Sequence, residues 1–124
     1  MEIAIIAHDG KKAEMVQFLN EQAETLHKNE VSLISTGTTG SKVEKAGFKV
    51  TKLLSGPIGG DAQIAARVAE GKCDIVIFFR DSLDKHPHEP DISMLMRICD
   101  VHDIPLATNP ASGNLLFRGL VNKT

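Results

Sequence analysis

His8-Asp9 and His88-Glu89-Pro90-Asp91 each set an imidazole close to a carboxylate, an arrangement that can fix the ring's tautomer and orientation. A neutral imidazole donates to a carbonyl oxygen and a protonated one delivers a proton, so either histidine could act as electrophile or acid. Pro87 and Pro90 flank His88 and stiffen its loop. A further carboxylate, Asp61, closes the run Ser55-Gly56-Pro57-Ile58-Gly59-Gly60-Asp61, whose three glycines let backbone approach a ligand closely. Asp61 reads in two ways. It is a helix N-cap, a role for which Asp is among the best residues, or it is a general base for a carbon-bound proton. The second role requires burial or a stabilised oxyanion, because an unperturbed Asp titrates near a pKa of about 3.9.

A second set of residues suits an anion. In Thr36-Gly37-Thr38-Thr39-Gly40-Ser41, positive φ at Gly37 and Gly40 would expose successive N–H groups, and three Thr hydroxyls would add donors at a helix N-terminus. The plainer reading is a strand-to-helix turn with a hydroxyl cap. Lys12 could reach a phosphate as a point charge, and Arg80 and Arg97 are weaker candidates. Neither G-x-x-x-x-G-K-S/T nor G-x-G-x-x-G is present, so nucleoside triphosphates and dinucleotides have no support. His86, His88 and a carboxylate could in principle hold zinc, but no Cys or third His stands at ligand spacing, so no metal and no cofactor is expected. His27 and His102 fall near predicted helix C-termini, where the dipole accounts for them.

Parallel strands present such residues at one edge. Five short apolar, β-branched runs read as strands buried on both faces: Ile3 to Ala7, Val31 to Ile34, Phe48 to Leu54, Asp74 to Phe79 and Ile104 to Ala107. Helical periodicity fills the gaps. Met15, Leu19, Ala23 and Leu26 form one stripe between Lys11 and Leu26, and an Ala-rich helix from Asp61 to Glu70 stops at Gly71. Ile92 to His102 repeats the pattern with Met94, Leu95, Ile98 and Val101, and a short helix is predicted from Leu115 to Val121. The alternation implies right-handed crossovers and a single three-layer α/β domain, a five-stranded, mostly parallel sheet covered by helices on both faces. Ligands of such sheets bind beyond the carboxyl ends of the strands. Every predicted strand is followed there by polar, ionisable or Gly-rich residues.

Composition narrows the ligand. The 124 residues carry a net charge of −2 and only 4% aromatics, all Phe. That leaves no basic footprint for nucleic acid or anionic membrane and no stacking platform for bases. A small ligand is expected. The N-terminal apolar run meets His8-Asp9 too soon for a signal or a membrane span. Cys73 and Cys99 form no C-x-x-C pair and read as buried, reduced thiols, so a cytoplasmic location is expected.

In order and spacing, Ala7-His8-Asp9-x-x-Lys12, Thr36-Gly37-Thr38-Thr39-Gly40, Ser55-Gly56-Pro57-Ile58-Gly59-Gly60-Asp61, Phe78-Phe79-Arg80-Asp81, Pro87-His88-Glu89-Pro90-Asp91 and Ile104-Pro105-Leu106-Ala107-Thr108-Asn109 resemble methylglyoxal synthase. The resemblance implies that family's fold and a metal-free lyase converting dihydroxyacetone phosphate to methylglyoxal and inorganic phosphate, a bypass of lower glycolysis. It implies Asp61 as the base and His88 as the residue that polarises the carbonyl and assists proton movement, with Asp91 and Asp9 in support. It implies Lys12, Thr36, Gly37, Thr38, Thr39, Ser55 and Gly56 as substrate-binding positions, with His8 near the reacting end, and a homohexamer. The chain departs from the family pattern near its end. It stops at Thr124 soon after Leu115-Leu116-Phe117-Arg118, where members continue into a tail bearing an Arg, and Asn109-Pro110-Ala111-Ser112-Gly113 lacks the usual Thr-Ala. Residues 1–124 are thus expected to form one domain shortened at its C-terminus, with allosteric phosphate inhibition and the hexamer the properties most exposed to that change. The alternative is a non-catalytic module on the same fold that senses a phosphorylated metabolite, followed by a zinc hydrolase.

Overall fold

The computed structural model describes residues 1–84 and 89–121. Five strands, β1 (Glu2–Ala7), β2 (Ser32–Ser35), β3 (Val50–Lys52), β4 (Ile75–Phe79) and β5 (Leu106–Ala107), form one parallel sheet in the order β3-β2-β1-β4-β5. Helices α1 (Lys12–Glu21), α2 (Ala23–Lys28), α3 (Gly37–Lys45), α4 (Gly60–Ala69), α5 (Glu89–Val101) and α6 (Pro110–Val121) connect and cover it. Two 3₁₀ turns, Asp9–Lys11 and Gly56–Ile58, follow β1 and β3. The expected α/β architecture is the one observed.

Strand alternation divides the core into two layers. Ile3, Ile5 and Ala7 of β1 and Ile75, Ile77 and Phe79 of β4 pack with Met15, Phe18, Leu19, Leu26, Val43 and Phe117 on one face. Ala4, Ile6, Val76 and Phe78 pack with Ile64, Ala65, Val68, Ile92, Leu95 and Cys99 on the other. So α1, α2, α3 and α6 cover one face, and α4 and α5 the opposite one. The chain winds outward from β1 through β2 to β3 over the first face, then returns to β4 and β5 over the second. Right-handed crossovers in opposite directions open a crevice where the winding reverses, between β1 and β4.

Several sequence boundaries shift for identifiable reasons. The predicted strand from Phe48 to Leu54 contracts to Val50–Lys52, because β3 is an edge strand with one neighbour and exposed Thr51 and Lys52. The fifth strand shrinks to the two residues after Pro105, whose missing N–H limits pairing. The predicted Lys11 to Leu26 helix breaks at Gln22 (φ −99°, ψ 7°). Ala23 is accordingly exposed, and Phe18 fills the core with edge-on contacts to Phe79 and Phe117 at 5.3 and 5.2 Å between ring centroids. Helix α5 starts at Glu89 instead of Ile92, so Glu89-Pro90-Asp91 is its first turn, a position where Pro is accommodated. Val101 is 61% exposed and Cys99 takes the buried place expected of it. Helix α6 starts at Pro110, well before Leu115. Gly71, at φ +76°, follows the end of α4 as expected.

Cys73 and Cys99 are free and buried, and burial pushes each thiol up to about 11. Among the described residues no helix is long and apolar enough to cross a membrane.

Candidate active site

The first three strands end alike. His8, Thr36 and Ser55 each stand one residue before a helical turn in extended backbone, with φ/ψ of −63°/157°, −66°/155° and −67°/155°. None of the three uses its side chain to cap the helical turn that follows. The turns that begin at Asp9, Gly37 and Gly56 therefore present helical N–H groups that the preceding side chain does not cover. Such termini favour an anion.

They converge on one cavity of about 290 Å³, lined by Ile6, Ala7, His8, Asp9, Lys12, Thr36, Thr38, Ser55, Gly56 and Pro57. The sheet order makes this necessary, since β1, β2 and β3 are consecutive neighbours whose carboxyl ends share an edge. Lys12 brings a cation: its side chain is 11% exposed, and Nζ pairs with the carboxylate of Asp9, which is 96% exposed. A mostly buried ammonium with a solvated partner leaves positive charge inside the cavity and negative charge at its rim.

His8 is held by β4. Its Nδ1 accepts the backbone N–H of Asp81 at 2.8 Å, and its ring meets Phe78 edge-on at 5.2 Å. An Nδ1 that accepts carries no proton, so the neutral ring has its N–H on Nε2. Asp81, which follows the strand across the crevice from β1, is not a site candidate by residue pattern. Its backbone matters here, and a main-chain donor has no residue-type signature. Ile6, Ala7 and Pro57 line the cavity without having been candidates, although the position of Pro57 inside the Gly-rich run could have pointed to it.

Two sequence readings need correcting. Gly37 and Gly40 do not form a positive-φ cradle: among the described glycines only Gly47, Gly59 and Gly71 have positive φ, and residues Gly37–Lys45 are helical. The N–H groups on offer are those of a helix start. The glycines serve close packing instead, since a Cβ at Gly37 would come 3.0 Å from the Leu53 carbonyl oxygen and one at Gly40 2.6 Å from the Lys52 side chain. Nor is Asp61 an N-cap. That position belongs to Gly59, at φ +115°, and Asp61 lies in the first turn of α4 with no exposed surface.

Thr39 also differs from the two threonines before it. Its Oγ1 accepts the Ala7 N–H at 3.1 Å and donates to the Ala7 carbonyl at 3.2 Å. The β1–β2 ladder stops at Ile5 and Ser35, so this hydroxyl takes over where the strand pairing ends. Thr36, 2% exposed, approaches it at 3.4 Å between hydroxyls, and Thr38 is exposed at the cavity.

Asp91 is half-buried in the first turn of α5. His86 and His88 lie outside the described residues, and with them the zinc reading and the expected acid. Among the described residues, no group of three His, Cys, Asp or Glu side chains is placed to hold a metal ion. Arg80 turns from the cavity to pair with Glu89 at 2.8 Å, and Arg97 is exposed on α5.

Residues 18–108 match the family model described as an MGS-like domain. Over 119 residues the chain is 51% identical to a methylglyoxal synthase of Clostridium botulinum (strain Alaska E43 / Type E3), covering 95% of this chain and 98% of that one. With a methylglyoxal synthase of Geobacillus thermodenitrificans (strain NG80-2) it shares 54% identity over 121 residues, 97% of this chain and 83% of the other. The crystal structure of methylglyoxal synthase from Elizabethkingia anophelis NUHP1 superposes with a TM-score of 0.86 at 38% identity, over 94% of this chain and 76% of that one.

Proposed function

The chain belongs to the methylglyoxal synthase family, and from that premise we infer that it is a lyase converting dihydroxyacetone phosphate to methylglyoxal and inorganic phosphate. The observation that carries this reading is the convergence of three uncapped strand ends and one buried cation on a single cavity, with a fully buried carboxylate close by in sequence.

The substrate's phosphate sits against the starts of α3 and the Gly56–Ile58 turn, with Lys12 as counter-charge and Thr36, Gly37, Thr38, Thr39, Ser55 and Gly56 as its surroundings. For Thr39 the contribution is backbone and scaffold, given its hydroxyl's bonds to Ala7. Asp61 takes the proton from the carbon that bears the hydroxyl; the C–H electron pair becomes the C=C bond of an enediolate and the carbonyl oxygen gains negative charge. Burial supports this role, because water that would solvate the carboxylate is excluded. His8, with its N–H on Nε2, and His88 stabilise that oxygen and return the proton. Asp9 and Asp91 support Lys12 and His88. The enediolate then expels phosphate by breaking the carbon–oxygen bond, and the released enol tautomerises to methylglyoxal. General acid–base catalysis supplies about 10²–10⁴-fold, and the remainder comes from fixed donors around the developing oxyanion.

The substrate class is a small phosphorylated molecule. The proposal extends to one domain over residues 1–124 and to a homohexamer, for which exposed Leu54, Ile58 and Leu83 offer apolar surface near the strand ends that bear the site. A cytoplasmic location is consistent with two free buried thiols. Purified protein incubated with dihydroxyacetone phosphate should release methylglyoxal and phosphate in equal amounts. Calorimetric binding of the same compound without release would instead establish a sensing module.

A further inference from the structure

We propose that Gln63 is a positioning residue that, through the backbone of Leu54, sets the separation between the anion-binding start of α3 and the buried carboxylate of Asp61; the inference rests on the lyase reading above.

Leu54 is braced on three sides. Its N–H donates to Gln63 Oε1 at 2.8 Å, a side chain reaching back from α4. Its carbonyl accepts the N–H of Gly37, the first residue of α3, at 3.1 Å. The same carbonyl presses on Gly60, where a Cβ would lie 2.0 Å from the oxygen. Gly60 directly precedes Asp61, and its own N–H bonds to the Ser55 carbonyl at 3.0 Å. The Leu54 carbonyl therefore touches both the helix start that receives the phosphate and the residue before the base, while Gln63 holds the preceding Leu53–Leu54 peptide through the Leu54 N–H.

Among the described residues, Gln63 is the hydrogen-bond partner of the Leu54 N–H. The Leu53 N–H still bonds to the Ser35 carbonyl at 2.7 Å, but Leu54 itself is 48% exposed, so burial does not anchor it. Gln63 is exposed too, which sets it apart from a core residue: without its amide oxygen the fold keeps its packing, but the Leu53–Leu54 peptide can rotate. Rotation there would carry the adjoining Leu54 carbonyl relative to Gly37 and Gly60 together. Proton abstraction is sensitive to such displacements, with roughly a hundredfold loss for a misplacement of about 1 Å.

The test compares Gln63→Met, which keeps the length and loses the acceptor, with Gln63→Glu, which keeps an acceptor oxygen. For Q63M the expectation is kcat about tenfold lower, KM within about twofold, an increased isotope effect with substrate deuterated at the hydroxymethyl carbon, and little change in Tm. Q63E should restore kcat to within about threefold of the parent. A purely structural role would lower Tm and leave both kcat per folded protein and the isotope effect unchanged, overturning the proposal, as would Q63E failing alongside Q63M. Amide exchange supplies a readout without turnover: the Leu54 and Gly37 amides should both exchange faster in Q63M. Acceleration at Leu54 alone would refute the coupling. Parent protein with no turnover would contradict the lyase reading while leaving the exchange result to decide the brace.

Discussion

Replacing Gly60 by Ala adds one methyl group at the junction between the two halves of the site. Its Cβ would stand 2.0 Å from the Leu54 carbonyl oxygen and 2.9 Å from the Thr36 side chain. An ordinary C···O contact is about 3.3 Å, so α4 and the Leu54 peptide must part by roughly 1.3 Å. The obstruction is backbone, which no rotamer change relieves. Overpacking of this kind costs about 1–3 kcal/mol, and for a domain of this size that lowers Tm by roughly 5–10 °C. The larger effect falls on chemistry, since Asp61 is the next residue, and a displacement on the order of 1 Å should reduce kcat about 10²-fold. The sign is informative, because Gly→Ala within an unobstructed helix stabilises by about 0.5–1 kcal/mol. Gly119, in α6, where an added Cβ would meet nothing within 4 Å, is the matched control and should gain that amount with unchanged activity. Thermal unfolding and steady-state kinetics on both variants decide the matter. Gly60→Ala with raised Tm and parental kcat would refute the packing argument.

Thr39→Val keeps the shape but leaves the Ala7 N–H and carbonyl without the hydroxyl they share, both in a buried setting. A loss of about 1–3 kcal/mol is expected in denaturant unfolding, and Thr39→Ser should recover most of it. The two thiols give a pH dependence. Their ordinary value of 9.0 rises to about 11 on burial, so the folded state holds protons that the unfolded state has released between these limits. Stability contributed by the buried thiols is therefore fully present below pH about 9 and declines as pH rises towards about 11. Urea midpoints across that range should fall less steeply when both cysteines are replaced by Ala. At pH 8 the native thiols should resist alkylation that proceeds readily in denaturant.

Much of this architecture is legible in residue patterns, and the exceptions share a cause. Strands β1 and β4 are central and buried on both faces, so their near-continuous apolar runs identify them within a residue. Edge strands β3 and β5 lack a second neighbour, and their apolar flanks extend beyond the paired residues. The cavity set His8, Lys12, Thr36, Thr38, Ser55 and Gly56 is foreseeable because a parallel sheet delivers successive strand ends to one edge. What composition does not indicate is direction. Thr38 and Thr39 are adjacent and chemically identical, yet one faces the cavity and the other bonds to Ala7, a distinction set by where the β1–β2 ladder stops. Asp61 resembles a cap because the true cap, Gly59, is conformational and carries no side chain. The roles of Asp81 and Gln63 arise from backbone bonds to distant or folded-back segments, with 73 residues separating Asp81 from His8.

The central claim, that the buried carboxylate of Asp61 removes the carbon-bound proton, is tested most directly by Asp61→Asn. The variant keeps the shape of the side chain and removes its basicity, so its kcat for methylglyoxal formation should fall at least about 10³-fold. Calorimetric binding of inorganic phosphate, which depends on Lys12 and the helix starts, should stay within about threefold of the parent. An Asp61→Asn protein that binds phosphate normally and retains kcat within tenfold would contradict the account.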